Sequence, residues 1–308
     1  MPDRNSDGMR TDGKALDLTQ LRTFLAVYRA GSLTEAARRL KLAQPTVTSQ
    51  IRSLEQQLDR QLFERLPRGV APTAVADDLA ARIAVPMDQL ATVADRDTSG
   101  VTEPVHLGGP AELLSVRALP ALAPLVAQGL RLRVTPGLAD DLLDGLRAGR
   151  FDLVVSAVRP RGRSVLATPL MDEEFVLVSN ASWAARIGPL GCDDPSPLDD
   201  VPLVTYAEDL PIARRYWRHV FRTRLTLPPA LVMADLRGVL AAVAAGAGFS
   251  VLPRYLCAGE LRTGALVALV EPEDPPINTG FLAQRTGSVL GRDAGRVRDT
   301  LLDAARSW

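Results

Sequence analysis

Between positions 44 and 52 the chain sets amides, hydroxyls and a guanidinium at Gln44, Thr46, Thr48, Ser49 and Arg52, beside an apolar series of Val47, Ile51, Leu54 and Leu58. That series has helical spacing, so the polar groups must occupy the other faces of one helix. Base edges in a DNA major groove are read by amides, hydroxyls and arginine, whereas bulky apolar groups find only thymine methyls there. Pro45 suits the first turn of such a helix, where a missing N–H costs nothing. Just upstream, Leu33, Ala36, Ala37 and Leu40 form a second short apolar face. Two helices separated by a few residues have the layout of a helix-turn-helix, and double-stranded DNA is the partner this surface suits.

The neighbouring sequence supplies what would hold these helices. Leu18, Leu21, Phe24, Leu25 and Tyr28 predict a first helix over 19–30, stopped by Gly31. Ser32 is placed to cap the next helix, with Glu35 three residues later completing a capping box. Extended segments are expected at 61–63 and 70–73, around a Pro67-Arg68-Gly69 turn. Three helices and a small hairpin make a winged helix, with Arg68 at the tip reaching a phosphate or the minor groove. A longer helix over 73–95, interrupted by Pro86, carries a stripe of Val75, Leu79, Ile83, Leu90 and Val93. A narrow stripe on an otherwise polar helix calls for a partner helix, and therefore for a second copy of the chain.

Residues 1–14 read as a disordered tail, 15–73 as the DNA-binding domain, 74–96 as a dimerisation helix and 97–104 as a polar linker. From 105 onward strands and helices alternate. Strands are expected at 130–134, 151–157, 175–179, 203–205, 231–234, 249–252 and 279–283, with helices between them. Such α/β alternation implies open sheets whose ligands bind at the carboxyl ends of strands, here in a cleft between two lobes over 105–308.

Charge agrees with this division. The whole chain is neutral with 36 basic and 36 acidic residues, but 15–70 holds nine basic against five acidic residues, net +4, and 71–308 is net −4. A basic head on an acidic body suits a protein that grips phosphate with one end. Cys192 and Cys257 show neither disulfide nor zinc spacing. No apolar run is long enough for a membrane span and no signal pattern opens the chain, so a soluble cytoplasmic protein is expected. The two histidines, His106 and His219, belong to no catalytic constellation, Gly246-Ala247-Gly248 is too short for a dinucleotide fingerprint, and no metal or cofactor motif is present. A non-enzyme without cofactor is expected.

The stretch FLAVYRAGSLTEAARRLKLAQPTVTSQIRSLEQQLDRQLFER resembles the N-terminal winged helix of LysR-type transcriptional regulators. LRLRVTPGLADDLLDGLRAGRFDLVVS and VLAAVAAGAGFSVLP are similar to segments of the same family's C-terminal domain. Ala43, Ser49, Pro72 and Ala76 depart from its common residues. The resemblance implies a DNA-binding domain, a linker helix and a periplasmic-binding-protein-like effector domain of two lobes, assembled as a homodimer or dimer of dimers, with RNA polymerase a further candidate partner. It implies DNA contacts from Gln44, Pro45, Thr46, Thr48, Ser49 and Arg52, and backbone contacts from Ser32, Thr34, Arg65 and Arg68.

The same resemblance places an effector cleft near Gly109, Ala111 and Glu112, near Arg159, near Tyr206 and Glu208, and near Asp235 and Ser250. Glu112 either caps its own helix or faces the cleft and attracts a cation. Arg159, Arg161 and Arg163 pull toward an anion, and an amino acid would reconcile the two signals. LLSVRALPALAPLV is similar to the arginine- and lysine-responsive branch of the family. The expected function is a ligand-responsive transcription regulator, acting on a divergent neighbouring gene. The alternatives are a DNA-binding protein whose C-terminal domain serves only assembly, and an enzyme with an appended DNA-binding head.

Overall fold

The computed structural model describes residues 16–66, 69–94, 103–288 and 290–308, with side chains in 91–94 left aside. The expected tail at 1–14, Arg68 and most of the linker at 97–104 lie outside the described residues. The chain forms two compact units.

The first contains α1 (Leu18–Ala30), α2 (Leu33–Leu40), α3 (Gln44–Leu58), β1 (Phe63–Arg65), β2 (Val70–Pro72) and α4 (Ala74–Ala94). Asp17 caps α1 through the Thr19 N–H, and Gly31 ends it at φ 61°. Ser32 accepts from the Glu35 N–H as expected, but the Glu35 carboxylate turns to Arg38 and Arg39 and leaves the capping box half formed. Those two guanidiniums lower its pKa to about 2. The helices close on Phe24, Val27, Val47, Leu54 and Leu62, with Phe63 tilted against the Phe24 ring. The first wing strand begins two residues later than expected. The Glu55 carboxylate accepts from the N–H groups of Leu62 and Phe63, which holds 61–62 in a loop.

The α4 helix runs through Pro86 and buries a further face beside the stripe expected to meet a partner helix, with Leu79 common to both. Ala76, Leu79, Ala80 and Ala84 are buried, whereas Val75 and Leu90 are exposed. Small residues let α4 lie close to α1, where Tyr28 donates to Asp77 and Arg29 pairs with Asp88 at 2.9 Å.

In the second unit, β3 (Val105–Gly109) pairs in parallel with β4 (Leu132–Pro136) and β5 (Leu153–Ser156). Residues 111–127 form a nearly continuous helix, comprising α5 (Ala111–Leu113), a π turn at Leu114–Ala118 and α6 (Leu119–Ala127). Then follow α7 (Ala139–Arg147), the long strand β6 (Val165–Asn180), α8 (Ala181–Ile187), β7 (Leu203–Thr205) and α9 (Pro211–Tyr216). After these come β8 (Pro229–Val232), α10 (Leu236–Ala244), β9 (Phe249–Pro253), α11 (Arg254–Thr263), β10 (Leu266–Ala268), β11 (Ile277–Arg285) and α12 (Arg292–Ala305). The strand order is β4-β3-β5-β11-β6-β9-β7-β8, with β10 on β6.

The β6 strand ties this unit together. Its first part pairs antiparallel with β11, and Phe175–Ser179 pairs antiparallel with β9. One core gathers Leu107, Leu122, Leu153, Val297 and Leu301. Beyond the crossing, Phe175 and Leu177 enter one core while Val176 and Val178 enter another, so both faces of the strand are buried. The first half of β6 was not expected, because Pro169, Asp172, Glu173 and Glu174 mask its strand character. The β4 strand starts at Leu132 rather than 130: Gly129 at φ 96° ends α6, and the Leu130 N–H closes back on the Leu125 carbonyl.

Candidate functional site: a DNA-facing helix and an acidic cleft

In the N-terminal unit the expected apolar series points inward, with Val47, Ile51 and Leu54 buried and Leu58 partly so. Gln44, Pro45, Thr46, Ser49 and Arg52 are exposed on the remaining surface of α3. A groove of ≈ 680 Å³ between α3 and the wing is lined by Gln44, Thr48, Ser49, Arg52 and Arg65 among others. Thr48 is partly engaged within its own helix, donating to the Gln44 carbonyl at 3.1 Å and accepting from the Gln44 amide at 2.9 Å. Ala43 makes no side-chain cap; its carbonyl instead accepts from the Thr46 and Val47 N–H groups at 3.0 and 3.2 Å, and Pro45 in the first turn has no N–H to satisfy. Ser32 is spent on capping α2, Thr34 is exposed in that helix, and Arg65 ends β1 in solvent. The wing is anchored by the Val70 N–H donating to the Gly31 carbonyl at 2.9 Å. All but Arg68 of the expected DNA contacts are therefore in view, most of them on α3.

In the C-terminal unit the strand ends and helix starts bring carboxylates together. Glu112 lies in the first turn of α5, with its own N–H in reach of its carboxyl and with Glu173 and Asp235 near enough to repel it. Burial, reinforced by these charges, raises its pKa. Glu112 does not occupy the cap position of α5, which Pro110 holds without a side-chain bond. Glu173, where β6 leaves its pairing with β11, is 5% exposed. It accepts from the Tyr255 hydroxyl at 3.1 Å and the Asn278 amide at 3.4 Å, yet burial still raises its pKa.

Asp235 caps α10 through the Arg237 N–H and binds that guanidinium at 2.6 Å, which lowers its pKa. Burial and the charges of Asp209 and Glu112 raise Tyr206 to about 12. Glu112, Tyr206 and Asp235 are therefore brought into one electrostatic neighbourhood. Arg159 and Glu208 sit on exposed turns, and Ser250 is buried within β9, paired with Val178. Gly109 ends β3 where a Cβ would meet Leu114 and Val155 at 3.2 Å, which lets the chain turn tightly into Ala111 and α5.

Glu173, Tyr255, Asn278, Ser115 and Arg237 were not singled out in the sequence. Glu173 sits in an acidic run that reads as surface, and only strand pairing buries it. The alternative signal was available at Arg237, two residues after an N-cap aspartate in the helix expected at 236–245. Among the described residues no cluster of His, Cys, Asp or Glu has the arrangement of a metal site. Cys192 is exposed, and burial pushes the Cys257 thiol up to about 12.

Two family profiles cover most of the chain: "Bacterial regulatory helix-turn-helix protein, lysR family" over residues 18–77 and "LysR substrate binding domain" over 98–306. The chain belongs to the LysR family of transcriptional regulators. It is 47% identical over 300 residues to the HTH-type transcriptional regulator AbaB of Streptomyces antibioticus, covering 95% of this chain and 100% of that one. The fold is shared with ArgP from Mycobacterium tuberculosis, with a TM-score of 0.73 at 22% identity over 94% of this chain and 98% of that chain. It is shared also with LysG from Corynebacterium glutamicum, described with bound effector Arg, with a TM-score of 0.66 at 18% identity over 95% and 99%. This LysR-family member is thus a ligand-responsive, DNA-binding transcription regulator and not an enzyme. Regulators of the family bind DNA and small-molecule effectors and form oligomers. No described helix is long and apolar enough to cross a membrane.

Proposed function

We propose that the effector of this regulator carries a cationic group, most simply that of a basic amino acid, and that its capture between the C-terminal lobes changes how paired N-terminal heads engage an operator. The observation that carries this reading is the convergence of Glu112, Glu173 and Asp235, which Arg237 only partly offsets. Two of the three carboxyls are pushed toward the neutral form by burial, a strained arrangement that an incoming cation relieves. The exposed Arg159 on the turn after β5 offers a complement to a carboxylate, which favours an amino acid over a simple amine. The arginine bound to LysG supports the fit of such a ligand to the fold.

At the other end, Gln44, Thr46, Thr48, Ser49 and Arg52 read base edges, while Arg65 and Arg68 hold phosphate. The exposed Val75 and Leu90 of α4 support pairing of two chains, and a dimer of dimers is the proposed assembly. The setting is the cytoplasm, the target a divergent neighbouring promoter, and RNA polymerase the downstream partner.

A thermal-shift screen of basic, neutral and acidic amino acids against neutral aromatics tests the effector. Stabilisation by L-arginine or L-lysine is expected; stabilisation by neutral aromatics alone overturns the reading. Footprinting of the adjoining intergenic region with and without the stabilising compound tests the DNA half. No protection there refutes local regulation.

A further inference from the structure

In the effector unit, β3, β4, β5 and β11 with the first half of β6 form one lobe, β7, β8, β9 and β10 with its second half form the other, and the two touch in two chemically different ways. At the crossing strands the contacts are buried: Tyr255, on the helix after β9, donates to Glu173 of β6, and the Arg117 guanidinium stands 5.5 Å from the centre of the Tyr255 ring. At the start of β11, Arg215 of α9 donates to the Asn278 side-chain oxygen and the Ile277 carbonyl, and between the helix starts the link among the described residues is one exposed hydrogen bond. The Arg237 Nη1 donates at 2.8 Å to the Ser115 hydroxyl, which itself donates to the Ala111 carbonyl at 2.7 Å. Ser115 belongs to the π turn whose neighbours Leu113, Leu114 and Ala118 are buried in the core of the first lobe. Arg237 belongs to α10, whose Leu236 and Val239 are buried in the core of the second. The Arg237 Nε and Nη2 edge is held by Asp235 at 2.6 to 3.2 Å, so the guanidinium's direction is set before Nη1 reaches Ser115.

We propose that Arg237 and Ser115 form a latch between the lobes, whose making and breaking couples effector capture to the lobe arrangement. Strand β6 is continuous across the junction, pairing with β11 on one side and with β9 and β10 on the other, and acts as the hinge, so a rotation about it separates the two helix starts while leaving the buried Glu173 cluster together. The bond is suited to exchange. Arg237 is half-exposed, and its net contribution is that of one charge-assisted hydrogen bond, within the range a ligand can offset. Its guanidinium faces the same Asp235 and lies near the same Glu112 that would attract a cationic effector, so ligand and latch compete for one set of carboxylates. This step rests on the cationic-effector reading for its trigger, whereas the latch itself is testable without ligand.

The test uses full-length protein spin-labelled at the exposed native Cys192 in the second lobe and at Leu138→Cys, 71% exposed, in the first. Labelled chains are diluted with unlabelled protein so that pulsed-EPR distances report within one chain. Without ligand, Arg237→Gln and Ser115→Ala are each expected to lengthen and broaden the wild-type distribution. The double variant should add nothing beyond either single change, because both remove one bond. Unchanged distances in both single variants with native circular dichroism overturn the latch, as do independent, additive effects. L-arginine should shift the wild-type distribution and leave that of Arg237→Gln much less changed. If L-arginine has no effect on the wild type while the ligand-free variants still open, the latch stands and the cationic-effector reading falls.

Discussion

The acidic cleft makes the binding of a cationic effector pH-dependent in a direction that can be worked out. In the ligand-free protein Glu112 and Glu173 keep their protons to higher pH than the ordinary glutamate value of 4.5, burial being the leading cause for both. Asp235 is lowered by its bond to Arg237, so it is already ionised and exchanges no proton. A bound cation favours the ionised form of the two glutamates. The bound state then carries fewer protons than the free state, binding releases them, and affinity rises with pH until both groups are ionised without ligand. Each carboxyl contributes at most about a factor of ten per pH unit, so the pair sets a ceiling of about a hundredfold per unit.

Titration calorimetry with L-arginine from about pH 5 to about pH 8, repeated in buffers of different ionisation enthalpy, reads both the slope and the protons released. Glu173→Gln keeps the amide-sized side chain and its Asn278 and Tyr255 neighbours, and should reduce the ceiling to about tenfold per unit. The same linkage acts on folding with the opposite sign. Because these carboxyls have raised pKa values in the native state, stability falls as pH rises from the ordinary glutamate value through the raised one, and Glu173→Gln should flatten that fall. A wild-type affinity independent of pH, with heats independent of buffer, refutes the argument. So does a Glu173→Gln variant that keeps the full slope.

Other consequences concern the DNA-binding unit. Arg52→Ala should weaken operator binding by ~1–3 kcal/mol if Arg52 reads a base, against a uniform loss on all duplexes if it touches only phosphate; fluorescence anisotropy at fixed salt separates the two, and unchanged affinity removes Arg52 from the site. Leu54→Ala empties a fully buried position and should cost ~2–5 kcal/mol in chemical denaturation of the N-terminal unit. Gly69→Ala would set a Cβ 2.4 Å from the Gly31 carbonyl oxygen at φ 88°, so it should destabilise the wing by ~1–3 kcal/mol and weaken DNA binding without changing effector binding. Asp17→Ala removes the α1 cap and should cost ~0.5–2 kcal/mol, measured the same way.

Local chemistry accounts for most of what could be read before the fold was known. The residues of α3 announce their buried face by spacing alone, because Val47, Ile51 and Leu54 recur at the helical period and nothing distant is needed to orient them. Gly31 ends α1 and Ser32 starts α2 for reasons contained within a few residues. Strand 203–205 and the helix at 236 were likewise visible, since apolar runs there are bounded by Pro202 and by a capping Asp235. The sequence showed only one of the two faces of α4: the stripe of Val75, Leu79, Ile83 and Leu90 was read for a partner helix, whereas the face packed on α1 is built from Ala76, Ala80 and Ala84. Alanine carries too little hydrophobic signal to mark a packing face, and only the close approach of α1 reveals it.

By itself, the sequence determined the two-part architecture, the DNA-facing helix and the family. Each rests on periodicity, capping or a long run of matched residues. The tertiary structure alone decided which further side chains share the proposed cleft with Glu112 and Asp235. Glu112, Glu173 and Asp235 lie on three separate elements, and Glu173 becomes a buried charge only because β6 pairs with β11 on one side and hands over to β9 on the other. Ser115 and Arg237 are separated by 122 positions and meet only across the folded lobes. Spacing along a chain carries no record of such meetings, because strand pairing and lobe packing, not local propensity, set which distant side chains share one low-dielectric space.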